Sequence, residues 1–349
     1  MTQSPDPVRW GIVGTANIAR AQFLPGLREA GGGIAALVAS RDRARADAFA
    51  AANGIGSGIA DYAALVESPH VDAVYVALPN ALHAEWTIRA LHAGKAVLSE
   101  KPLCVSADQV RQVLDAAAGA AAPLWEAFVF PFQAQHRRLT ELLAAGAIGE
   151  PAEVNSAFHF LLSNLANIRM DAALGGGALA DVGCYPVRLA LELFGADGGR
   201  AQACSALTNG EVEVDAAGIV TFGARRLLLS CGFRRSYDTF TSVLGSAGQI
   251  QLTNPFHPGP ADTLTMLRPN AEPVIERPTT DQRSFTAAIR HIHAVLRGEA
   301  APEHTADGLS LPAARVLEQL QRLAKPAGRP ARQLANDPAA DRLVPRQSP

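Results

Sequence analysis

The first third of the chain alternates short, continuously apolar runs with alanine-rich stretches in which apolar residues recur at helical spacing. Continuous apolar runs of this length are typical of strands buried on both faces of a parallel sheet. We predict strands at 8–14, 34–40, 72–79, 96–100 and 124–130. This pattern favours an α/β fold with a doubly wound parallel sheet of the Rossmann type.

From about residue 150 the pattern changes to alternating apolar and polar positions separated by turn residues. Such alternation predicts antiparallel strands, and it recurs at 151–160, 200–209, 211–222, 224–233 and 238–252. Helices are predicted at 175–194, about 281–297 and about 307–324, the first with a kink just after Tyr185 because Pro186 follows. We therefore expect an α+β domain with a large, mostly antiparallel open sheet.

These patterns divide the chain into a dinucleotide-binding domain at 1–125, a substrate-binding and oligomerisation domain at 126–325, and a loosely held tail at 326–349. The net charge of -2 gives no basic bias toward nucleic acid or an anionic membrane. With no long apolar span and no apolar leader, we expect a cytoplasmic protein that binds a small molecule. Its four cysteines are far apart, which predicts buried, reduced thiols and no metal site.

The segment "WGIVGTANIARAQF" stands where a dinucleotide fingerprint belongs, between the first strand and the first helix. On the pattern G-x-G-x-x-G/A it offers Gly14, Ala16 and Ala19, so the second glycine is replaced by alanine. We expect pyrophosphate binding at 14–18, which comprises Gly14, Thr15, Ala16, Asn17 and Ile18. An ordinary turn of small residues is the alternative.

The end of the second strand indicates which dinucleotide is bound. NAD enzymes usually carry an acidic residue here, whereas Ser40 and Arg41 suit the 2′-phosphate of NADP. Asp42, one residue further on, could still reach inward to the ribose. We therefore expect NADP, with NAD possible.

Two further strand ends carry polar residues at the edge where ligands bind in such sheets. Pro79, Asn80 and His83 follow the strand at 72–79, and we expect all three near the dinucleotide, although His83 could equally be a histidine without a chemical task. Glu100 and Lys101 end the next predicted strand. Lys101 is one of only three lysines in the chain, and we expect it beside the nicotinamide.

The stretch "GGGALADVGCYPV" begins with Gly175, Gly176 and Gly177 and places Asp181 and Tyr185 four residues apart. On a helix this spacing puts the carboxylate and the phenol on one face. The glycines would let another molecule approach the backbone closely. A glycine-rich loop that enters an ordinary buried helix is the alternative.

The motifs "GIVGTANIA", "PNALH", "EKPL", "GAIGEP", "NIRMDAALGGGALADVGCYPV" and "GSAGQI" together resemble the glucose-fructose oxidoreductase / inositol dehydrogenase (Gfo/Idh/MocA) family. The resemblance covers about 8–320 and is closest to the branch with NADP-dependent D-xylose dehydrogenases and dimeric dihydrodiol dehydrogenases. It implies that Lys101 contacts substrate and cofactor ribose, and that Asp181 and Tyr185 occupy the positions that exchange protons. Ala16, and Pro131 where many relatives carry arginine, depart from the family pattern.

The chemistry of carbinol oxidation suggests roles for these residues, because a hydride and a hydroxyl proton must both be removed. Tyr185 would be the acid/base, and the Lys101 cation would favour its anion, since a free phenol has a pKa of about 10. Asp181 would orient Lys101 or a sugar hydroxyl. The glycines at 175–177 would make room for the nicotinamide ring and ribose.

Other polar residues are weaker candidates. Asn167 and Arg169 either hydrogen-bond sugar hydroxyls or face solvent. We expect His159 to be structural, and the spacing of His291 and His293 to direct the two side chains apart on a helix, which argues against a metal site.

The expected function is NADP-dependent oxidation of an aldose at its anomeric carbon, or the reverse reduction. Oxidation of a cyclic diol and a non-catalytic, nucleotide-sensing regulatory protein are the alternatives. By analogy with the family, we expect a homodimer or a larger homo-oligomer.

Overall fold

A computed structural model describes residues 6–120 and 122–326. The predicted tail at 326–349 lies outside the described residues except for its first position. Within the described part of the chain, no helix has the length and apolar character needed to cross a membrane.

The N-terminal half of the fold is a six-stranded, fully parallel sheet in the order β3-β2-β1-β4-β5-β6. Its strands are β1 (Val8–Val13), β2 (Gly33–Ala39), β3 (Ser57–Ile59), β4 (Ala73–Val76), β5 (Ala96–Ser99) and β6 (Leu124–Glu126). Its helices are α1 (Leu24–Ala30), α2 (Arg43–Asn53), α3 (Tyr62–Val66), α4 (His83–His92) and α5 (Ala107–Ala120). This order is the doubly wound arrangement, and its topological switch point lies between β1 and β4.

The C-terminal half contains a nine-stranded sheet in the order β14-β13-β12-β11-β7-β10-β9-β8-β15. Its strands are β7 (Pro151–Leu161), β8 (Gly199–Asn209), β9 (Val212–Phe222), β10 (Arg225–Gly232), β11 (Arg234–Gly245), β12 (Gly248–Thr253), β13 (Leu264–Leu267), β14 (Val274–Glu276) and β15 (Ala324–Pro326). The remaining helices of the described residues are α6 (Ala134–Ala144), α7 (Cys184–Phe194), α8 (Phe285–Leu296) and α9 (Ala306–Leu323). Only the β7–β10 and β8–β15 pairs are parallel. The predicted fold class, a Rossmann sheet followed by a mostly antiparallel sheet, is confirmed.

Helix α8 connects the two halves, because its apolar face belongs to the core of the first sheet. Phe285, Ile289 and Ile292 are fully buried there together with Phe23. The Nε1 of Trp10 donates to Nε2 of His293 at 2.9 Å. The first core therefore contains chain from both predicted domains.

The helix that carries Asp181 and Tyr185 starts later than predicted. A π-helical turn at Leu179–Gly183 precedes α7, so that Pro186 falls in the first turn of α7, where proline is tolerated. The irregularity that the structure shows lies before Tyr185, whereas a kink after it was predicted. The carboxylate of Glu213 on β9 accepts from the backbone N–H of Leu179 at 3.1 Å and so caps this helix.

Candidate active site

One cavity of about 650 Å³ opens between the two sheets, at the carboxyl ends of β1, β4 and β5. Predicted site residues that line it are Thr15, Ala16, Asn17, Ile18, Asn80, His83, Glu100, Lys101, Asn167, Arg169, Asp181 and Tyr185. Gly14, Ser40, Arg41 and Pro79 are not part of its lining. The cavity lies where a doubly wound sheet binds its ligand.

The turn after β1 has the shape that a dinucleotide requires. Gly14 adopts a φ of +104°, and a Cβ atom at this position would collide with the backbone oxygen of Ala77. The next residues, 15–18, border the cavity and lead into the helix that starts at Ala19. Close backbone approach at a helix start fits a pyrophosphate, with Ala16 adding only a methyl group.

The side chains at the end of β2 differ from the inward-facing acidic residue that NAD enzymes usually place there. Asp42 does not reach inward as considered above, because its Oδ1 caps α2 by accepting from the N–H of Arg45 at 2.8 Å. Ser40 is buried and Arg41 is exposed. The side chain that borders the cavity here is Arg45, which the sequence did not single out.

His83 and Asn80 tie the loops around the cavity together. The ring nitrogens of His83 lie 2.8 Å from the carbonyl oxygens of Pro102 and Leu78, the loops that follow β5 and β4. Burial lowers the pKa of His83. Asn80 donates from Nδ2 to the carbonyl of Gly175 at 2.8 Å. Both residues therefore position backbone of the site.

Lys101, Asp181 and Arg169 form a chain of ion pairs on one wall of the cavity. The Nζ of Lys101 donates to Oδ1 of Asp181 at 3.0 Å and to its backbone oxygen at 2.7 Å. The Nε of Arg169 donates to the other carboxylate oxygen at 2.6 Å. We refer to these three residues as the cavity cluster.

The charges of the cavity cluster stabilise one another. Burial by itself raises the pKa of Asp181, but the two neighbouring cations outweigh it and bring that pKa to about 2. Burial likewise opposes the charged form of Lys101, yet the Asp181 carboxylate raises the pKa of Lys101 above its usual value. All three side chains are therefore ionised at neutral pH.

Glu100 and Asn167 support this wall. Burial raises the pKa of Glu100, and its Oε1 accepts from the Tyr75 hydroxyl at 2.5 Å. The side-chain oxygen of Asn167 accepts from the backbone N–H of Arg169 at 3.1 Å. Asn167 thus holds the turn that directs Arg169 toward Asp181.

Tyr185 borders the same cavity, within an aromatic cluster. Its ring packs against Phe128, Phe158 and Phe256, with centroids 5.0 to 5.3 Å apart. The Lys101 Nζ lies 5.2 Å from the centroid of the Tyr185 ring. The predicted meeting of the amine and the phenol at one cavity is therefore seen in the structure.

The pKa of Tyr185 lies above its usual value, not below it as the expected activation by Lys101 would require. Burial raises the pKa of Tyr185 well above its usual value, and the carboxylates of Glu100 and Asp181 raise it further. The Lys101 ammonium does not offset these effects, because it donates twice to Asp181. Tyr185 is a protonated phenol, and its Oη lies 3.2 Å from Nε2 of His257, a residue that the sequence gave no reason to select.

The three consecutive glycines allow close approach of other parts of the protein. A Cβ on Gly175 would press on Val105 and Asn80, one on Gly176 would meet backbone oxygen of Arg169, and one on Gly177 would meet the Glu213 carboxylate. Gly175 and Gly177 also have positive φ angles, of +76° and +111°. Gly175 and Gly176 also border the cavity, so that the expected approach of nicotinamide and ribose to these glycines stays a prediction.

The other histidines considered from the sequence, His159, His291 and His293, have structural partners. His159 contacts the Ser230 hydroxyl at 3.0 Å, and His291 accepts from the backbone N–H of Glu303 at 3.0 Å. Over residues 6–120 and 122–326 no group of three or more His, Cys, Asp or Glu side chains is arranged to hold a metal. All four cysteines are buried and free, as the sequence predicted.

Comparisons with known proteins agree with this geometry. Residues 8–128 match the oxidoreductase family with an NAD-binding Rossmann fold, and residues 136–251 match the GFO/IDH/MocA C-terminal domain. The chain is 35% identical to dTDP-3,4-didehydro-2,6-dideoxy-alpha-D-glucose 3-reductase of Actinomadura kijaniata over 87% of this chain and 92% of the relative.

A shorter match, 42% identical over 53% of this chain and 57% of the relative, is to D-xylose 1-dehydrogenase (NADP(+)) 2 of Haloferax volcanii. Among solved structures, the 3-ketoreductase KijD10 from Actinomadura kijaniata, in complex with NADP and TDP-benzene, superposes with a TM-score of 0.84 at 31% identity. That likeness covers 92% of this chain and 99% of the relative. The chain thus belongs to the Gfo/Idh/MocA family of oxidoreductases.

Proposed function

We propose that the protein is an NADP-dependent oxidoreductase that transfers a hydride between the nicotinamide and a free aldose, at the anomeric carbon of the sugar. The observation that carries this proposal is the single cavity bordered by the dinucleotide turn, Lys101 and Tyr185. When bound, the nicotinamide would supply the hydride acceptor or donor. Sugar-acting relatives of both the dehydrogenase and the reductase type support the reaction class.

The preference for NADP follows from the groups around the end of β2. A 2′-phosphate would meet the Arg45 guanidinium, with the Ser40 hydroxyl and Arg41 nearby in the chain. A 2′-hydroxyl would need an acceptor, and the Asp42 carboxylate, which caps α2 through the N–H of Arg45, is not part of the cavity lining. NADP in the Actinomadura kijaniata structure supports the same preference.

Each polar side chain at the other end of the cavity has a distinct task in the proposed reaction. Lys101 has three N–H donors, of which two point to Asp181, so that one is left to bind the reacting oxygen. Asp181 keeps the Lys101 ammonium charged and fixed. Tyr185, as a protonated phenol, gives its proton to the carbonyl oxygen in reduction, and in oxidation it receives the hydroxyl proton as its own phenol proton leaves.

The charge balance of the cavity favours an uncharged sugar over a nucleoside diphosphate sugar. Of the three Lys and Arg side chains that line it, Arg45 lies at the cofactor end, and Lys101 and Arg169 are both paired with Asp181. A diphosphate would therefore have to compete with a buried carboxylate for its cations. The aromatic rings of Phe158 and Phe160, which also line the cavity, suit an uncharged sugar ring.

A substrate panel tests the proposal. The purified protein is mixed with NADP or NAD and with pentoses, hexoses, cyclic trans-diols or dTDP-sugars, and the absorbance band of reduced nicotinamide is followed. We expect turnover with NADP and a free aldose, and a loss of about 10²–10⁴-fold in Tyr185→Phe with NADP still bound.

Other outcomes of the panel would replace the proposal. Turnover confined to diols or to dTDP-sugars would assign a different substrate class to the same residues. Tight NADP binding without turnover of any compound would favour the sensing role.

The assembly that we propose is a homo-oligomer formed through the second sheet. Helices α7 and α9 cover one face of this sheet, whereas Ile219 and Phe240 on the other face are 38% and 39% exposed. Sedimentation velocity should report a dimer or larger species, and Phe240→Asp should shift it toward the monomer.

A further inference from the structure

Tyr185 shares its phenol oxygen with a histidine that the proposed function does not yet use. His257 lies in the loop after β12, and its Nε2 is 3.2 Å from Oη of Tyr185. The other ring nitrogen, Nδ1, is 3.4 Å from Oγ of Ser284, the residue directly before α8. Elements from three parts of the fold therefore meet around the His257 ring.

The loop that carries His257 is held by its own hydrogen bonds. Asn254, in a left-handed conformation with a φ of 44°, donates from Nδ2 to the backbone oxygen of His257 and to a carboxylate oxygen of Asp262. The His257 ring meets the ring of Tyr185 edge to face, with centroids 5.4 Å apart. The imidazole is thus fixed in a position where it borders the cavity.

The surroundings of His257 keep its ring neutral. Burial, followed by the positive charge of Lys101, lowers the pKa of His257 to about 4. The titratable groups that face it are Tyr185 from α7 and Lys101 from the loop after β5, while Asp262 stands behind Asn254 on its own loop. A neutral imidazole has one N–H and one lone pair, so that it can take a proton at one nitrogen.

Lys101 does not fill this role. Its ammonium donates twice to Asp181 and lies over the face of the Tyr185 ring, at 5.2 Å from the centroid. The phenol remains protonated in this setting, so oxidation of a hydroxyl needs a group that can accept the phenol proton. His257 contacts Oη directly and has the capacity to do so.

We propose that His257 is the positioning residue of Tyr185 and exchanges the phenol proton with it during turnover. In oxidation, the substrate O–H bond breaks and its proton goes to Oη of Tyr185, while the phenol's own proton goes to Nε2 of His257. The hydride leaves the same carbon with its electron pair, and the C=O bond forms. Reduction reverses each transfer, and the inference rests on the proposed function, which supplies the hydride acceptor.

The test compares His257→Gln with His159→Gln. Glutamine keeps a hydrogen-bonding group beside the phenol but cannot take up a proton. His159 is a control, because it also contacts a serine hydroxyl but is not part of the cavity lining. We expect kcat to fall about 10²-fold in His257→Gln, with the KM for sugar and the Kd for NADP within about twofold, and no change in His159→Gln.

A second measurement needs no substrate or cofactor. The chain has four tyrosines, so the ¹³Cζ signal of Tyr185 in the free protein can be assigned by its loss in Tyr185→Phe. We expect His257→Gln to shift this signal and His159→Gln to leave it in place. This shift reports the contact between the imidazole and the phenol itself.

The outcomes separate the inference from the proposed function. An unchanged kcat in His257→Gln overturns the inference, and so does a fall in kcat that comes with weaker NADP binding and an unshifted Tyr185 signal. If the wild-type protein turned over no sugar with NADP, the proposed function would fail, and the ¹³Cζ signal would still decide whether His257 positions Tyr185.

Discussion

The helix at 179–194 contributes to two buried clusters of charged side chains. The two clusters differ in whether they border an open cavity. The cavity cluster, near the start of the helix, borders an open space large enough for a ligand. The second cluster, which we call the sealed cluster, lies against the later turns and consists of Glu126, Arg188, Glu192 and Ser310.

Most polar groups of the sealed cluster are paired within the protein, although Nη1 of Arg188 has no hydrogen-bond partner among the described residues. Ser310 donates to Oε2 of Glu126 at 2.5 Å, and the backbone N–H of Leu103 donates to Oε1 at 2.7 Å. Arg188 donates to Glu192 at 3.0 Å and lies over the Phe128 ring. The side chains of Arg188 and Glu126 are 3% and 5% exposed, against 11% for both Lys101 and Asp181.

The comparison teaches that burial of charge does not by itself mark a functional site. Both clusters hold ions away from water at a cost in solvation. What distinguishes the cavity cluster is that it borders a cavity large enough for a ligand, whereas Arg188 and Glu126 are not part of that lining. We therefore expect substitutions in the cavity cluster to reduce activity, and those in the sealed cluster to reduce stability.

The largest effect is expected for Lys101→Met. Removing the ammonium takes away the donor to the reacting oxygen, and kcat/KM should fall by about 10²–10³-fold. Lys95→Met is the matched control, because Lys95 donates to the carbonyls of Ser68 and Val71 away from the cavity. Equal losses of activity in both variants would contradict a specific role of Lys101 in the reaction.

Arg188→Met should lower stability and leave activity unchanged, which is the opposite of the effect expected for Lys101→Met. It leaves buried carboxyl groups without their cation, and we expect the free energy of unfolding to drop by about 3 kcal/mol. Denaturant titration measures that change, and kcat of the folded fraction should match wild type at low temperature. A stable variant with reduced kcat would show that the sealed cluster takes part in catalysis.

A smaller effect is expected in the pH dependence of stability, to which the Asp181 carboxylate of the cavity cluster contributes. Because the neighbouring cations hold the pKa of Asp181 at about 2, below its usual 3.8, its ionised form stabilises the fold above about pH 4. This contribution, about 2 kcal/mol, disappears as the pH falls from about 4 to about 2. The difference in unfolding free energy between wild type and Asp181→Asn should therefore narrow over that range. For Asp47→Asn, in an exposed ion pair with Arg43, the difference should be small.

The smallest effect is expected at the cofactor end. Arg45→Ala should raise the KM for NADP about tenfold and leave that for NAD unchanged, since one exposed cation contributes about 1.4 kcal/mol or less to phosphate binding. Arg43→Ala is the control, because Arg43 stands on the same helix but pairs with Asp47 and is not part of the cavity lining. A uniform weakening toward both cofactors would argue against a 2′-phosphate site.

The sequence predicted the order of the fold because buried parallel strands and half-exposed antiparallel strands have different apolar periods. It missed β3, which has three residues and too few positions to show a period. It could not reveal where α8 packs, because an apolar helix face looks the same whichever sheet it covers. The strand at 72–79 was predicted too long, because the apolar run continues past β4 (Ala73–Val76) into the turn that borders the cavity.

For the candidate site, the sequence motifs predicted that Lys101, Asp181 and Tyr185 lie together, and the structure places all three at one cavity. The protonation of Tyr185 could not be derived in this way, because it depends on burial and on carboxylates from other elements. Arg45 and His257 escaped detection for the same reason. Each lies in a segment without a motif, and only the packing of the chain brings it to the cavity.

Since α8 completes the first core, the two predicted domains are not interchangeable parts. A fragment cut near residue 125 would lose Phe285, Ile289 and Ile292 and would expose the apolar surface that they cover. A chimaera that exchanges the cofactor half with that of a relative should therefore carry residues 285–296 along. Such grafts would join three pieces of chain instead of two.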